Sequence, residues 1–433
     1  MRIHFVGILG ASMSGLAKLC SSFGDVVTGS DRNLNGHDKN NVENADVVVY
    51  TNAVGENNVE VVYAREIGKR VIERAEFLGE ILMRYETVFA ISGTHGKTST
   101  AGFLASIFQP YSPTLHIGGQ LANDFEIVGG DEYIICEACE YRNSFHFVKS
   151  NIALILNMEF DHPDFFEGEN DYAASFQKFA KGAKKIIVHE DIANYFGKWK
   201  QDNFCLKSSF VTFGLSENAD YFVKKIRAAQ DGVTFNIFHN RKMLLKNAKI
   251  RQFGLHSVLN ALASVALSHE AGANKKEIKE GLYNFKGVKR RQESVGSFND
   301  AFVYTDYAHH PSEVNSILKT FNNIKSKGAK LHVVYEPHTY SRTKTFLRDY
   351  ALALNEADEI VLTNIFAARE INTDNLTSQS LAGEVTKCSD KPAYYFEDED
   401  FILEYLKKTV QSGDIVLFCG AGNIDKLAKR FIK

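Results

Sequence analysis

The chain has 433 residues, 44% of them hydrophobic and 24% charged, with 50 basic against 53 acidic side chains and a mean hydropathy of −0.21. That balance excludes a disordered chain and a global positive field for nucleic acid, and at about 150 residues per domain the length predicts roughly three domains. No apolar run approaches the ~20 residues that span a bilayer, and the N-terminus lacks the long apolar stretch of a secretory signal, so a cytoplasmic protein without membrane insertion is expected.

In chain order, a strand at 2–6, a helix at 13–22, strands at 25–29 and 46–50 and a helix at 77–85 alternate as in a Rossmann-like domain, assigned to residues 1–87. The turn Gly7-Ile8-Leu9-Gly10-Ala11-Ser12-Met13-Ser14-Gly15 does not carry GxGxxG in register, which argues against NAD and leaves diphosphate binding at the helix start. A strand at 87–91 leads into Gly93-Thr94-His95-Gly96-Lys97-Thr98-Ser99, and Ala101, Leu104, Ile107 and Phe108 then fall on one helical face. Strands at 133–137 and 152–156 are expected in the same sheet. The text from 203 to 249 reads as hairpins of a side sheet, with a turn signal at 230–233. A helix at 257–270 closes a central domain of residues 88–288. From 289 to 433, strands at 302–305, 331–335, 359–363 and 415–419 alternate with helical stretches, a second doubly wound unit. The fold class is therefore α/β in three domains: Rossmann-like, P-loop ATPase-like with a mainly parallel sheet, and Rossmann-like again. Cys20, Cys136, Cys139, Cys205, Cys388 and Cys419 are scattered, and the lone CxxC of Cys136 and Cys139 lacks a second pair, so reduced thiols are expected rather than zinc or disulfides.

The strongest chemical signal is GxxGK[ST] at 93–98. Its glycines let backbone N–H groups turn toward phosphate oxygens, Lys97 offers a positive charge to the terminal phosphates, and the Thr98 hydroxyl suits Mg²⁺. As a loop lysine, Lys97 is expected to be exposed and its replacement by alanine to leave the fold intact. Glu137 and His162 lie at carboxyl ends of strands, where open α/β sheets bind ligands; Thr98 with Glu137 suits one Mg²⁺, and a neutral imidazole at His162 a second. In the last third, Asp306-Tyr307-Ala308-His309-His310-Pro311 and Glu336-Pro337-His338-Thr339-Tyr340-Ser341-Arg342-Thr343 follow successive strands, with Pro311 placed for the first turn of a helix. Two such clusters point to a ligand face.

Together with His256 to Asn260, Arg290-Arg291 and Gly420-Ala421-Gly422, these motifs resemble the Mur ligase family over essentially the whole chain. The resemblance implies an ATP-dependent ligase that joins L-alanine to UDP-N-acetylmuramate through an acyl phosphate, in cytoplasmic peptidoglycan precursor synthesis. It implies that residues 93–99 hold the ATP phosphates, that Thr98, Glu137 and His162 ligate Mg²⁺, and that Asn260, Arg291 and Asp306 hold adenine, phosphate or ribose. Lys97, Glu137 and His162 would form the catalytic centre. His338 and Arg342 would lie near the amino acid, and Gly7, Ser14 and Gly15 at the UDP diphosphate. The chain departs from the family pattern at Leu9 and Ser12, where glycines are usual, so these side chains are expected to point away from the diphosphate. A peptide-recycling member of the family shares most of these motifs; the shorter chain and the Asp306 to His310 run favour a single amino acid. A nucleotide-dependent regulator that makes no bond is the remote alternative. No motif sets the oligomeric state.

Overall fold

The computed structural model describes residues 1–433 except 124, 126–127, 194, 196–208, 230, 369 and 390. Its described strands form three sheets, one per domain. The first contains β1 (Arg2–Val6), β2 (Val26–Ser30), β3 (Val47–Tyr50) and β4 (Arg70–Glu73) in the order β2-β1-β3-β4, all parallel. The Val47–Tyr50 strand is buried along its length, as parallel strands covered on both faces require.

The central sheet is built on β5 (Thr87–Ser92), β6 (Thr114–His116), β7 (Tyr133–Glu137), β8 (Ser150–Ile155) and β9 (Ala183–His189). It continues through β10 (Ser209–Gly214), β11 (Tyr221–Ala229), β12 (Gly232–His239) and β13 (Lys242–Ile250), where the β11–β12 and β12–β13 pairs are antiparallel and the β9–β10 and β10–β11 pairs parallel. The expected separate side sheet is thus an extension of the main one. Ile186, Ile187 and Val188 are fully buried in β9, and β10 pairs along the edge that β9 would otherwise leave open. The hairpin turn at 230–233 joins β11 to β12 as anticipated, although residue 230 and the start of the 203–249 segment, with Cys205, lie outside the described residues.

β5 lies between β7 and β8, with Ile91 opposite Glu137 and Ser92 opposite Ile155. This register brings the glycine loop, Glu137 and the residues after β8 to one edge. The helix Lys97–Ile107 is buried on every side from Thr100 onward rather than along one stripe, because it is sandwiched between the sheet and the helices Leu255–Glu270 and Lys275–Asn284. Fully burying a side chain such as Phe103 or Leu104 stabilises by about 1.5–3 kcal/mol, so packing anchors the helix whose start carries the loop.

The last sheet holds β14 (Glu293–Phe298), β15 (Ala301–Asp306), β16 (Leu331–Glu336), β17 (Glu359–Leu362), β18 (Ala393–Tyr395) and β19 (Ile415–Gly420) in the order β14-β15-β19-β16-β17-β18. Only β14 runs antiparallel. Asp306 pairs with Cys419 and Glu336 with Gly420, so the predicted clusters end on one edge, facing the central domain.

Candidate active site at the junction of the central and C-terminal domains

Gly96 caps the helix Lys97–Ile107 in the left-handed region (φ 85°), and a Cβ there would stand 2.4 Å from the Asn260 Oδ1. Only glycine fits, and the contact fixes Asn260 against the loop. Asn157 clamps the loop from the other side: its Oδ1 accepts from the His95 N–H at 2.8 Å and its Nδ2 donates to the His95 carbonyl at 3.1 Å. The Thr94 hydroxyl donates to the Glu159 carbonyl at 2.7 Å. The residues after β8 therefore hold the loop in shape.

Lys97 is not the exposed loop lysine that the sequence predicts. Its ammonium is 16% exposed, donates to the Gly93 and Thr94 carbonyls, and lies 2.9 Å from Glu140, itself only 1% exposed. Burial disfavours both charges, but each holds the other: Glu140 raises Lys97, and Lys97 with His162 lowers Glu140. His162 Nε2 stands 3.7 Å from Glu140 Oε1, and its ring packs on Tyr141 at 4.5 Å between centroids. Glu140 was not singled out from the sequence; the available signal was a second carboxylate three residues past the end of β7.

Burial pushes the Glu137 carboxyl up, opposed by the Thr98 hydroxyl, Lys97 and the Gly118 amide. Its Oε1 is buried without a hydrogen-bond partner. An orphaned carboxylate oxygen beside a threonine hydroxyl fits a magnesium ion, which takes few protein oxygens and keeps several waters. Glu140 and His162, 3.7 Å apart, could offer an oxygen and an imidazole to a second ion.

A cavity of about 450 Å³ opens between the domains, and His95, Gly96, Ser99, Asn260, Arg291 and Asp306 line it. Asp306, 4% exposed, accepts from the N–H groups of Gln292 and Ala308, each at 2.8 Å, while burial raises its carboxyl against the pull of Arg291. Arg291 Nη1 reaches Glu313 Oε1 at 3.2 Å. Glu313 also accepts in the capping box with His310 at the start of the helix Pro311–Ile324, and its carboxyl is held well below the usual range by Arg291 and His95 despite burial. His95 closes the circuit across the junction, with Nε2 at 2.9 Å from Glu159 and Nδ1 at 3.2 Å from Glu313. Burial would lower it, but these carboxylates push it up to about 9.

Arg342 and Asp161 form a second cross-domain link. The guanidinium donates to Asp161 at 2.8, 3.0 and 3.1 Å, both residues are 5% exposed or less, and Arg342 Nη1 lies 3.0 Å from His338 Nδ1. His338 is lowered to about 4 by burial and Arg342, so it is a neutral imidazole. Glu159 and Asp161 belong to the polar run Asn157 to His162 after a strand, but neither they nor Glu313 have a role assigned from sequence, since a single acidic residue after a strand carries no spacing that distinguishes a domain link from a solvated side chain.

Gly7, Ser14 and Gly15 do not line this cavity. They sit at the start of the helix Ala11–Ser22, where Gly7 has φ 90° and the Ser14 hydroxyl donates to the Ala11 carbonyl. Leu9 is 54% exposed, and the Ser12 hydroxyl lies 3.0 Å from His116 Nε2 of the central domain and accepts from Arg74 Nη1 at 3.2 Å.

Three Mur ligase domains match this chain end to end: the Mur ligase family catalytic domain over residues 2–86, the Mur ligase middle domain over 91–268 and the Mur ligase glutamate ligase domain over 290–422. A UDP-N-acetylmuramate–L-alanine ligase of Caldanaerobacter subterraneus subsp. tengcongensis is 36% identical, covering 100% of this chain and 97% of the relative. The chain belongs to the Mur ligase family. Another member, the UDP-N-acetylmuramate–L-alanine ligase of Clostridium acetobutylicum, is 35% identical over 100% of this chain and 97% of its own length. Among solved Mur ligase structures, the UDP-N-acetylmuramate-alanine ligase of Thermotoga maritima superposes with a TM-score of 0.81 at 27% identity, covering 100% of this chain and 98% of that one. A murein peptide ligase from Psychrobacter arcticus, at 22% identity and a TM-score of 0.69, covers 100% of this chain and 98% of its own and shares the fold.

Proposed function

We propose that this ATP-dependent, amide-bond-forming Mur ligase joins L-alanine to UDP-N-acetylmuramate, a cytoplasmic step in making peptidoglycan precursors. The observation that carries the reading is the junction itself: a phosphate loop, the buried Glu140, the half-buried Glu137 and a histidine face a C-terminal domain that contributes Asp306, Arg291 and Arg342. Residues 1–87 bind the UDP-sugar, 88–288 bind ATP, and 289–433 close on ATP and the amino acid. No helix among the described residues is long and apolar enough to cross a membrane.

The lactyl carboxylate of the sugar attacks the γ-phosphorus of ATP, giving an acyl phosphate and ADP; the alanine amine then attacks the acyl carbon and expels phosphate. Lys97 and the N–H groups of residues 93–99 hold the phosphates, and Lys97 must leave Glu140 or share its charge to do so. Thr98 and Glu137 hold one Mg²⁺ and His162 with Glu140 the other; bound there, magnesium offsets the charge that develops on the transferring phosphoryl group. Asn260, Arg291 and Asp306 seat adenine, ribose or phosphate. Gly7, Ser14 and Gly15 receive the diphosphate, with Ser12 and Arg74 at the same turn. His338 and Arg342 orient the amino acid, and closure of the junction keeps water from the acyl phosphate. Hydroxylamine supplied with ATP and UDP-N-acetylmuramate, without alanine, should yield the sugar-nucleotide hydroxamate. ATP turnover with no hydroxamate formed would reject the acyl-phosphate route.

A further inference from the structure

One cluster at the junction is not used by this chemistry as described. Among the described residues, a single group of three metal-capable side chains converges: His95 from the phosphate loop, Glu159 from the segment after β8 and His310 from the cap of the helix Pro311–Ile324, with one donor atom of each within 4.8 Å of the others. We propose that these three side chains form a binding site for a zinc-class divalent cation that staples the central domain to the C-terminal domain and locks the phosphate loop.

The donor set decides the class of metal. Two imidazoles and a carboxylate suit Zn²⁺ or Co²⁺, whereas Mg²⁺ prefers oxygen ligands alone. The distances are close to what such an ion needs. Bonds of about 2.0–2.1 Å in a tetrahedron place neighbouring donors roughly 3.3 Å apart. His95 Nε2 stands 2.9 Å and His310 Nδ1 3.9 Å from Glu159 Oε2. Side-chain shifts well under 1 Å on those two edges, with up to about 1.5 Å of closure between the two imidazoles, would seat an ion.

The surroundings prepare the donors. His310 is 4% exposed, and its Nε2 is buried with no hydrogen-bond partner. Its Nδ1 lies 2.8 Å from the Ser312 hydroxyl, which also lies 2.6 Å from Glu159 Oε2 and 3.2 Å from His95 Nε2. With the proton on Nε2, the Nδ1 lone pair accepts the Ser312 N–H at 3.4 Å in the helix cap, and a metal bound there would replace that contact. Ser312 now occupies the centre that an ion would take, and its rotation would admit one. His95 gives up its Nε2 proton when the metal binds, as every imidazole ligand must. Glu159, with a 44% exposed side chain, leaves a route from solvent. The fourth position faces the cavity that His95, Glu159 and Ser312 line.

An ion held this way ties residue 95 to residue 310 and fixes the junction shut, so zinc should inhibit turnover without competing for the Thr98 and Glu137 site. Binding is read without substrates, so it stands or falls apart from the ligase reading. ZnCl₂ and CoCl₂ are titrated calorimetrically into the full chain in non-chelating buffer, and the Co²⁺ adduct is followed by its visible absorption. The expected result is one equivalent of either metal, an intense visible band for four-coordinate cobalt, and affinity weakened about tenfold or more in both H310Q and E159Q. No stoichiometric binding, unchanged affinity in both variants, or MgCl₂ binding as tightly at the same residues would overturn the proposal. If H310Q does not fold, E159Q on its partly exposed side chain decides the matter alone.

Discussion

Asp161 and Arg342 meet where the central and C-terminal domains touch, each 5% exposed or less and joined by contacts of 2.8–3.1 Å. Asp161→Asn keeps the shape and removes the charge. With the junction shut, a guanidinium would remain buried opposite a neutral amide, and removing one partner of a buried pair costs about 3–5 kcal/mol. The domains have an escape that a single core lacks: they can part, and Arg342 then reaches water. The penalty therefore appears as opening rather than unfolding, and about 3 kcal/mol shifts the closed-to-open ratio by roughly 100-fold. Small-angle scattering of the nucleotide-free protein should show a larger radius of gyration for Asp161→Asn. Adding Arg342→Met, which removes the unpaired charge, should restore much of the closed form. An unchanged radius together with an unchanged unfolding profile would refute the idea that this pair holds the junction.

Lys97→Ala should abolish ADP release and also destabilise the protein, because Glu140 loses its cation while still buried; protonating a carboxyl of ordinary pKa 4.5 at pH 7 sets a ceiling of about 3 kcal/mol. Adding Glu140→Gln should recover that stability but not activity, and a Lys97→Ala protein as stable as the parent in urea would contradict the pairing. Gly96→Ala should weaken ATP binding and lower the melting temperature, since the new Cβ meets Asn260 at 2.4 Å in a left-handed conformation, and the Gly96→Ala/Asn260→Ala pair should recover part of the loss. Equal ATP affinity in Gly96→Ala would count against the packing of Asn260 on the loop. In the N-terminal domain, Glu60 is fully buried and its carboxyl, although burial raises it, is lowered from 4.5 to about 2 by His4, Ser30, Asn41 and His37. A depressed folded-state pKa stabilises above pH 4.5 and is lost as pH falls toward 2, amounting to about 3 kcal/mol. Glu60→Gln should thus be less stable at pH 7 and converge on the parent near pH 2; parallel urea-unfolding curves across that range would exclude it.

Much of the catalytic edge was legible because its signals are local. The loop at 93–98 combines glycines, a lysine and a threonine at fixed spacing between a strand and a helix, and Glu137 ends a strand that is apolar without interruption. The three-domain α/β pattern followed from alternation of strands and helices. What sequence could not give was pairing across domains. Glu313, Asp161 and Glu159 are remote in sequence from His95, Arg342 and His310, which they meet in the neighbouring domain, and nothing in their own neighbours reveals those contacts. For the same reason Lys97 read as exposed: its partner Glu140 lies 43 residues away, past a strand that has first to add to the sheet. The contacts of Ser12 were hidden in the same way, since His116 and Arg74, which engage it, come from other elements. The sheet extension β10–β13 was hidden by a different effect, the open edge of β9, which only the assembled sheet displays.

The central claim is that ATP cleavage here is coupled to amide formation between one sugar nucleotide and one amino acid. It is tested most directly by measuring ADP release with UDP-N-acetylmuramate while L-alanine, L-serine, glycine and the murein tripeptide are offered one at a time, with each substrate omitted in turn. ADP should be stoichiometric with the alanyl product, with negligible release when either the sugar nucleotide or the amino acid is missing. A preference for the tripeptide, or ADP release that ignores both substrates, would contradict it.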